Sequence, residues 1–298
     1  NKNRRVIALG FFDGVHNGHG ALLRRVVDKA RELDAVAAAF TFDRSPTAAI
    51  TGQTVPLLSS VEDRGWLMRS RYGIQEVVVS NFDGMMRMDW EDFVDRYLAE
   101  ELVAGHDFHF GYMGKGNPRR LQEKCAQLGI GCDIIPKVEQ DGITISSTYI
   151  RTLIAQGEME RAVQFLGHPH VLTQKVAHGK KIGSSTLGFP TVNLHIPEGV
   201  IVPAFGVYTT KVCFGGESRI AVTNVGVRPT VQDGDRRVTV EGFILDFDGD
   251  LYGQTMRMEF YHRLRGERKF PSMEELAEEI RRNAQQAREY FQEKAEYQ

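Results

Sequence analysis

The chain reads as a two-part α/β protein. A parallel, helix-covered sheet is expected in residues 1 to about 166. A small antiparallel barrel or sandwich with a C-terminal helix is expected from about 170 to 298. Three observations predict this. Short apolar runs alternate with amphipathic helical runs throughout the first half, the pattern of a parallel sheet. From about 170 strand-like runs follow one another with only short glycine-rich or charged turns between them. The chain then closes on a single long stripe of helical period. Its 298 residues suffice for two domains of ordinary size.

"RRVIALGFF" reads as a buried strand, "AVAAAFTF" as a second and "QEVVVSNF" as a third. Between the first two, "GALLRRVVDKARELD" places Leu22, Leu23, Val26, Val27, Ala30 and Leu33 on one helical face. "DWEDFVDRYLAEEL" reads as a helix with Asp89 as its N-cap. "RRLQEKCAQLG" reads as another, closed by Gly129, and "CDIIPKV" as a strand. In the second half the strand candidates are "FGVYTTKVCF", "SRIAVTNVGV", "VTVEGFILDF" and "TMRMEFYHRL". Behind Pro271, Ser272 and Glu275 form a capping-box pattern. Met273, Leu276, Ala277, Ile280, Ala284, Ala287 and Phe291 then make the apolar stripe.

Charged residues are 26% and hydrophobic ones 42%, with a net charge of −2. That balance belongs to a globular protein and gives no basic field for nucleic acid. No apolar run reaches the length of a membrane span. Cys125, Cys132 and Cys213 are scattered and odd in number, which points to a reducing compartment, the cytoplasm. Small-molecule substrates are the expected partners, and oligomeric state is open.

The stretch "GFFDGVHNGHG" puts His16 and His19 beside Gly14 and Gly18 where a strand gives way to a helix. Such a turn offers free backbone N–H groups and a positive dipole end, a place for phosphate. A histidine cation is disfavoured there, and a bound polyphosphate reverses that sign. A histidine pair on a surface turn is the alternative. The spacing differs from the i, i+4 pair of a helical zinc site.

"FDGVHNGH" resembles the His-x-Gly-His signature of the nucleotidyltransferases, in the form found in bacterial bifunctional riboflavin kinase/FAD synthetases. "GKKIGSSTLGFPTVNL", "NVGVRPTV", "VEGFILDFDGDLYG" and "LRGERKF" resemble the motifs of the riboflavin kinase module, in order. The resemblance covers nearly the whole chain. It implies a Rossmann-like nucleotidyltransferase domain followed by an antiparallel β-barrel kinase domain. It implies phosphorylation of riboflavin by ATP to FMN in the second module. In the first it implies adenylylation of FMN to FAD with release of pyrophosphate. Both are phosphoryl-group reactions in which positioning and charge neutralisation dominate.

In the first module the resemblance gives His16 and His19 the ATP phosphates, with Gly14 and Gly18 allowing close backbone approach. "ISSTYIR", residues 145 to 151, is similar to the family's "ISSTRIR". Ser146, Ser147, Thr148 and Arg151 are then ATP contacts, while Tyr149 stands where the family has a first arginine. "TFDRSP" departs from the family's "TFDPHP" at Arg44 and Ser45 and keeps Asp43, which reads equally as a turn residue. "GHDFHFGYMGKG" resembles the flavin-side loop; Phe108 and Phe110 are candidates to pack on the isoalloxazine, and aromatic core is the alternative. The run before "VAGHDFHFG" is shorter than in the family, where a buried strand is expected, so either that strand is truncated or residues are missing before Val103.

In the second module Gly179, Lys180, Lys181 and Gly183 make a glycine loop for ADP phosphates; a plain β-turn region is the alternative. It is not a Walker A loop. Thr191 and Asn193, two apart on a strand, point to one face and offer hard oxygens suited to Mg²⁺. The resemblance places the metal there and makes Glu241 the base that takes the ribityl hydroxyl proton. Arg265 is a further flavin contact. "DFDGDLYG" is a tight turn, lacking the glutamate of a calcium loop. Two other readings stay open: a riboflavin kinase with a weakened first module, motivated by Arg44, Ser45 and Tyr149, and a flavin binder without turnover.

Overall fold

The computed structural model describes residues 4–97, 100–177, 188–229 and 236–296. The chain forms two compact units, Asn1–Tyr149 and Ile150–Gln298. The boundary expected at 166 to 170 lies beyond two short helices, α7 (Ser147–Gln156) and α8 (Met159–Leu166), most of which belong to the second unit.

The first unit is built on β1 (Arg5–Leu9), β2 (Val36–Phe42), β3 (Glu76–Ser80), β4 (Glu101–Gly105) and β5 (Gly131–Ile135). Their order is β3-β2-β1-β4-β5, with every pair parallel. β1 is central and Val6 to Leu9 are all buried, which is why it reads as an unbroken apolar run. Helix α1 (Asn17–Glu32) buries Leu22, Leu23, Val26 and Ala30, most of the expected stripe. Helices α2 (Pro46–Thr51), α3 (Val61–Tyr72), α4 (Phe82–Arg87), α5 (Trp90–Arg96) and α6 (Pro118–Leu128) belong to the unit, as does the short antiparallel pair β6 (Glu139–Gln140) and β7 (Ile143–Thr144). Asp89 caps α5 and Gly129 ends α6 in the left-handed conformation, as their positions predict. Winding runs one way from β1 to β2 and the other from β1 to β4, so a switch point lies between β1 and β4. Ligands bind outside the carboxyl ends of strands at such a point. The turn of residues 10 to 16 leaves β1 there, and the loop of residues 106 to 117 leaves β4 there.

One expectation is corrected. The helical reading of residues 89 to 102 is too long. Helix α5 ends at Arg96, and Glu101 and Leu102 open β4. The buried strand that looked truncated is therefore present, paired with β1 on one side and β5 on the other. Pairing with strands on both sides outweighs the local helical pattern of "EEL".

The second unit holds one six-stranded antiparallel sheet, in the order β8 (His170–Lys175), β13 (Thr255–Arg265), β10 (Gly206–Phe214), β11 (Glu217–Pro229), β12 (Arg236–Ile244) and β9 (Thr191–Leu194). Just beyond β8, Ala177 bridges to Asn193 of β9, its N–H donating to the Asn193 carbonyl at 2.8 Å. That bridge closes the sheet into the expected barrel. Helix α9 (Met273–Glu296) follows Ser272, whose hydroxyl accepts from the Glu275 N–H at 3.2 Å. It buries Ala277, Ile280, Ala284 and Ala287, while Met273 at the stripe's start stays exposed.

A carboxyl pair lies away from the switch point. Glu101 is 7% exposed at the start of β4 and shares a hydrogen bond with Asp133 of β5. Gly131 makes the room: a Cβ there would stand 2.8 Å from the Glu101 side chain. Burial first, then Asp133, raises the Glu101 pKa to about 7, while Arg25 and Lys29 of α1 oppose the shift. Asp133, ion-paired with Arg25, is held below its usual range against the desolvation it suffers. The unfolded chain releases the Glu101 proton near 4.5 and the folded chain near 7, so this group's contribution to stability falls as pH rises through that window. Glu101→Gln keeps a donor toward Asp133 without the charge. Its melting temperature should exceed the parent's at pH 8 and show no gain at pH 4; thermal melts at both values measure this.

Candidate active sites

In the first unit the site is a turn held in an uncommon conformation. Phe12, Gly14 and Val15 have φ of 56°, 79° and 46°. A β-branched residue at positive φ is strained, so surrounding bonds must impose the shape. Asp13 supplies them. Its carboxylate accepts from the backbone N–H of Leu58 at 3.0 Å and of Ser59 at 3.2 Å. Ser59 Oγ accepts from the Gly14 N–H at 3.1 Å, and Ser147 Oγ donates to the Asp13 carbonyl at 2.9 Å.

The two histidines cap the helix that follows. His16 Nδ1 accepts from the His19 N–H at 3.2 Å, and His19 Nδ1 accepts from the His16 N–H at 3.3 Å. This is a capping box built from imidazoles. The rings stack with centroids 3.5 Å apart. Because each Nδ1 accepts, the proton of each neutral ring sits on Nε2. Desolvation drives the His19 pKa well below its ordinary value, with His16 and then Arg64 adding to the shift. His19 is thus a neutral Nε2–H donor at pH 7, and a nearby polyphosphate favours its protonation. A Cβ at Gly18 would lie 2.9 Å from the His16 ring, so glycine there permits the stack.

The 145–151 segment meets this turn. Besides the Ser147 bond, the Ile145 carbonyl lies 3.5 Å from where a Gly18 Cβ would be. The N-termini of α1 and α7 therefore converge, and their backbone dipoles favour an anion. Ser146 Oγ accepts from the Tyr149 N–H at 3.2 Å, capping α7, while Thr148 is exposed. Arg151 lies four residues beyond Ser147 on α7, inside the second unit. Asp43 is a structural residue: it accepts from Asn81 Nδ2 and the Phe82 N–H, each at 3.0 Å, at the start of α4. Arg44 pairs with Asp83, and Ser45 caps α2.

Phe110 is a core residue, 1% exposed and 4.9 Å from Phe93, so its flavin role is replaced by packing. Phe108 is partly buried and stacks on Phe110 at 5.4 Å. Gly111 lets this loop pass Trp90, where a Cβ would meet backbone at 2.8 Å.

In the second unit the barrel register aligns Asn193, Glu241 and Asn224 across β9, β12 and β11. Directly paired and alternate residues share a face, so Thr191 and Phe243 join them. Glu241, Asn224 and Phe243 line a cavity of about 520 Å³. Phe243 packs on Ala277 and Ile280 of α9, and residues 265 to 270 form another wall. Arg265 is fixed there: its Nε donates to Asn283 Oδ1 at 3.2 Å, Glu279 lies 3.3 Å away, and its guanidinium stands 5.4 Å from the Phe270 ring. Arg282 and Arg265 hold the Glu279 carboxyl below its usual range. Gly179, Lys180, Lys181 and Gly183 lie outside the described residues. Thr191 and Asn193 supply a hydroxyl and an amide oxygen with no charge, a donor set that fits Mg²⁺ retaining water and phosphate ligands.

Comparison with known proteins decides the family. Residues 1–149 match the FAD synthetase model and residues 166–291 the riboflavin kinase model. The chain belongs to the bifunctional riboflavin kinase/FMN adenylyltransferase family. It is 34% identical to the member from Listeria monocytogenes, over 96% of this chain and 92% of that one. It is 33% identical to the Bacillus subtilis member, over 97% and 93%, and 30% identical to that of Escherichia coli K12, over 96% and 92%. A crystal structure described as a macrolide-efflux protein from Streptococcus pneumoniae superposes with a TM-score of 0.82 at 28% identity, covering 97% of this chain and 95% of that one.

Sequence reasoning missed three groups in this bifunctional enzyme. Asp13 stood inside the quoted signature but carried no role, because its partners are 45 and 46 residues away. Asn224 was visible in "NVGVRPTV", yet only the register sets it beside Glu241. Glu279 and Asn283 looked like solvent positions of a helix. Asp13→Ala leaves two buried N–H groups unpaired and should cost about 2–5 kcal/mol. Chemical denaturation measures that loss, and FAD formation should fall with it.

Proposed function

We propose that the two reactions of this bifunctional enzyme divide between the two sites just described, with modules at 1–166 and 170–298. Riboflavin and ATP give FMN and ADP at the barrel; FMN and ATP give FAD and pyrophosphate at the parallel sheet. The observation that carries the kinase assignment is the row Asn193–Glu241–Asn224 with Glu241 opening on the cavity. Riboflavin occupies that cavity, with Arg265 and Phe270 along its wall. Glu241 takes the proton of the terminal ribityl hydroxyl as its oxygen attacks the γ-phosphorus and ADP leaves. Thr191 and Asn193 would hold Mg²⁺, which would neutralise phosphate charge there.

In the adenylyl transfer an oxygen of the FMN phosphate attacks the α-phosphorus of ATP and pyrophosphate leaves. His16 and His19 donate from Nε2 to the phosphates, where charge builds on the leaving group. Ser147 and Thr148 close the site from the α7 N-terminus, Arg151 adds a guanidinium, and Phe108 stacks on the flavin. Tyr149 supplies no cationic fork, so one phosphate contact of the family pattern falls to other groups. Three scattered cysteines suit a reducing compartment, and this supports the cytoplasm as the site of both reactions.

The activities should separate by mutation. Glu241→Gln should cut FMN formation by about 10²–10⁴ and leave FAD formation from supplied FMN intact. His19→Ala should lower FAD formation by about 10²–10³ and spare FMN formation. Product analysis with riboflavin or FMN as the starting flavin, at saturating Mg-ATP, checks both. Loss of FAD formation in a folded Glu241→Gln enzyme would refute the two-site assignment.

A further inference from the structure

Arg64, on α3, is the buried cation that neither reaction scheme uses. It is 0% exposed, the largest of the fully buried side chains. Its Nη1 donates to Thr41 Oγ1 at 2.9 Å and to the Phe42 carbonyl at 2.8 Å. Thr41 Oγ1 in turn donates to the Phe11 carbonyl at 2.6 Å, and the guanidinium lies 4.4 Å from the centre of the Phe11 ring. Its Nε and Nη2 are buried without a hydrogen-bond partner. An arginine with unpaired donors is a costly thing to place in a core, and a chain keeps one where its charge or its reach is used.

The placement says where that use lies. Thr41 and Phe42 end β2, and Phe11 opens the turn after β1, so one guanidinium ties the end of β2 to the turn leaving β1, the strand that borders the switch point. Its positive charge acts on His19, lowering its pKa further after burial and His16. Asp13 and Glu62 are the acids that act on Arg64 itself. We propose that Arg64 is a positioning residue for adenylyl transfer: bonded to the end of β2 and packed on Phe11, it fixes from behind the turn that carries His19 and sets a positive charge there. This rests on the reading of His19 as a phosphate-side donor. Burial first, then His16 and Arg64, keep the His19 imidazole neutral. The neutral ring donates from Nε2 to the phosphate oxygens on which charge builds, while Nδ1 stays bonded to the His16 N–H.

The test uses the full chain with Arg64→Met, which keeps length without charge, and Arg64→Lys, which keeps charge without the fork. FAD formation from FMN is followed against pH, the His19 ring is titrated by NMR without nucleotide, and FMN formation serves as the internal control. Arg64→Met should lower FAD formation by about 10²-fold, the scale of a misplaced catalytic group. It should also raise the His19 titration and move the acid limb of the FAD profile up with it. Arg64→Lys should retain the parent's titration while losing rate. The proposal is overturned if Arg64→Met loses rate with the titration and profile unmoved, since the residue is then only a structural support. It is equally overturned if the rate is unchanged. Should Arg64→Met fail to fold, Arg64→Lys decides alone: a parent-like rate shows that the fork positions nothing. His19→Ala run beside them separates the two readings, because full FAD formation in that variant sinks the role of His19 itself.

Discussion

The reciprocal cap between His16 and His19 is the interaction on which the first site depends. Each imidazole uses Nδ1 to satisfy a backbone N–H at the start of α1, and this commits both Nε2 atoms to donation. The helix terminus thereby gains a cap and the ligand two donors from the same pair of residues. Serine at the N-cap would satisfy one N–H as well, but would leave no second donor facing outward. The cap also explains Gly18, since a side chain there would push the His16 ring out of its stack.

Around that cap, strain is held by long-range bonds. Val15 sits at positive φ because Asp13 is clamped by Leu58 and Ser59 and its carbonyl is bonded to Ser147. Segments far apart in sequence must assemble before the turn takes its shape. The phosphate site is in this sense a product of the packed unit and not of the motif alone. Arg64 belongs to the same set, joining α3 to the ends of β1 and β2.

The second unit solves its problem through register. Antiparallel pairing brings two asparagines to either side of Glu241, and α9 covers the apolar neighbour Phe243. Glu279 and Asn283, on the covering helix, hold Arg265 at the cavity wall. The helix therefore both buries an apolar stripe and orients a charged side chain. This is why those two polar positions are buried on a helix whose apolar stripe alone predicts a solvated face.

The sequence by itself determined the class of each half, the strand β1, the faces of α1 and α9, the caps at Asp89, Gly129 and Ser272, and the two histidines. These are set by period and by local hydrogen bonding, which neighbours along the chain decide. Only the tertiary structure decided that Glu101 and Leu102 are strand, that Phe110 is core, that Asp43 bonds the start of α4, and that Asp13 and Arg64 support the turn after β1. Each of those depends on a partner from a distant segment: a flanking strand, an aromatic ring, or a backbone N–H across the unit. Burial and pairing at that range outweigh local preference, and no spacing along the chain records them.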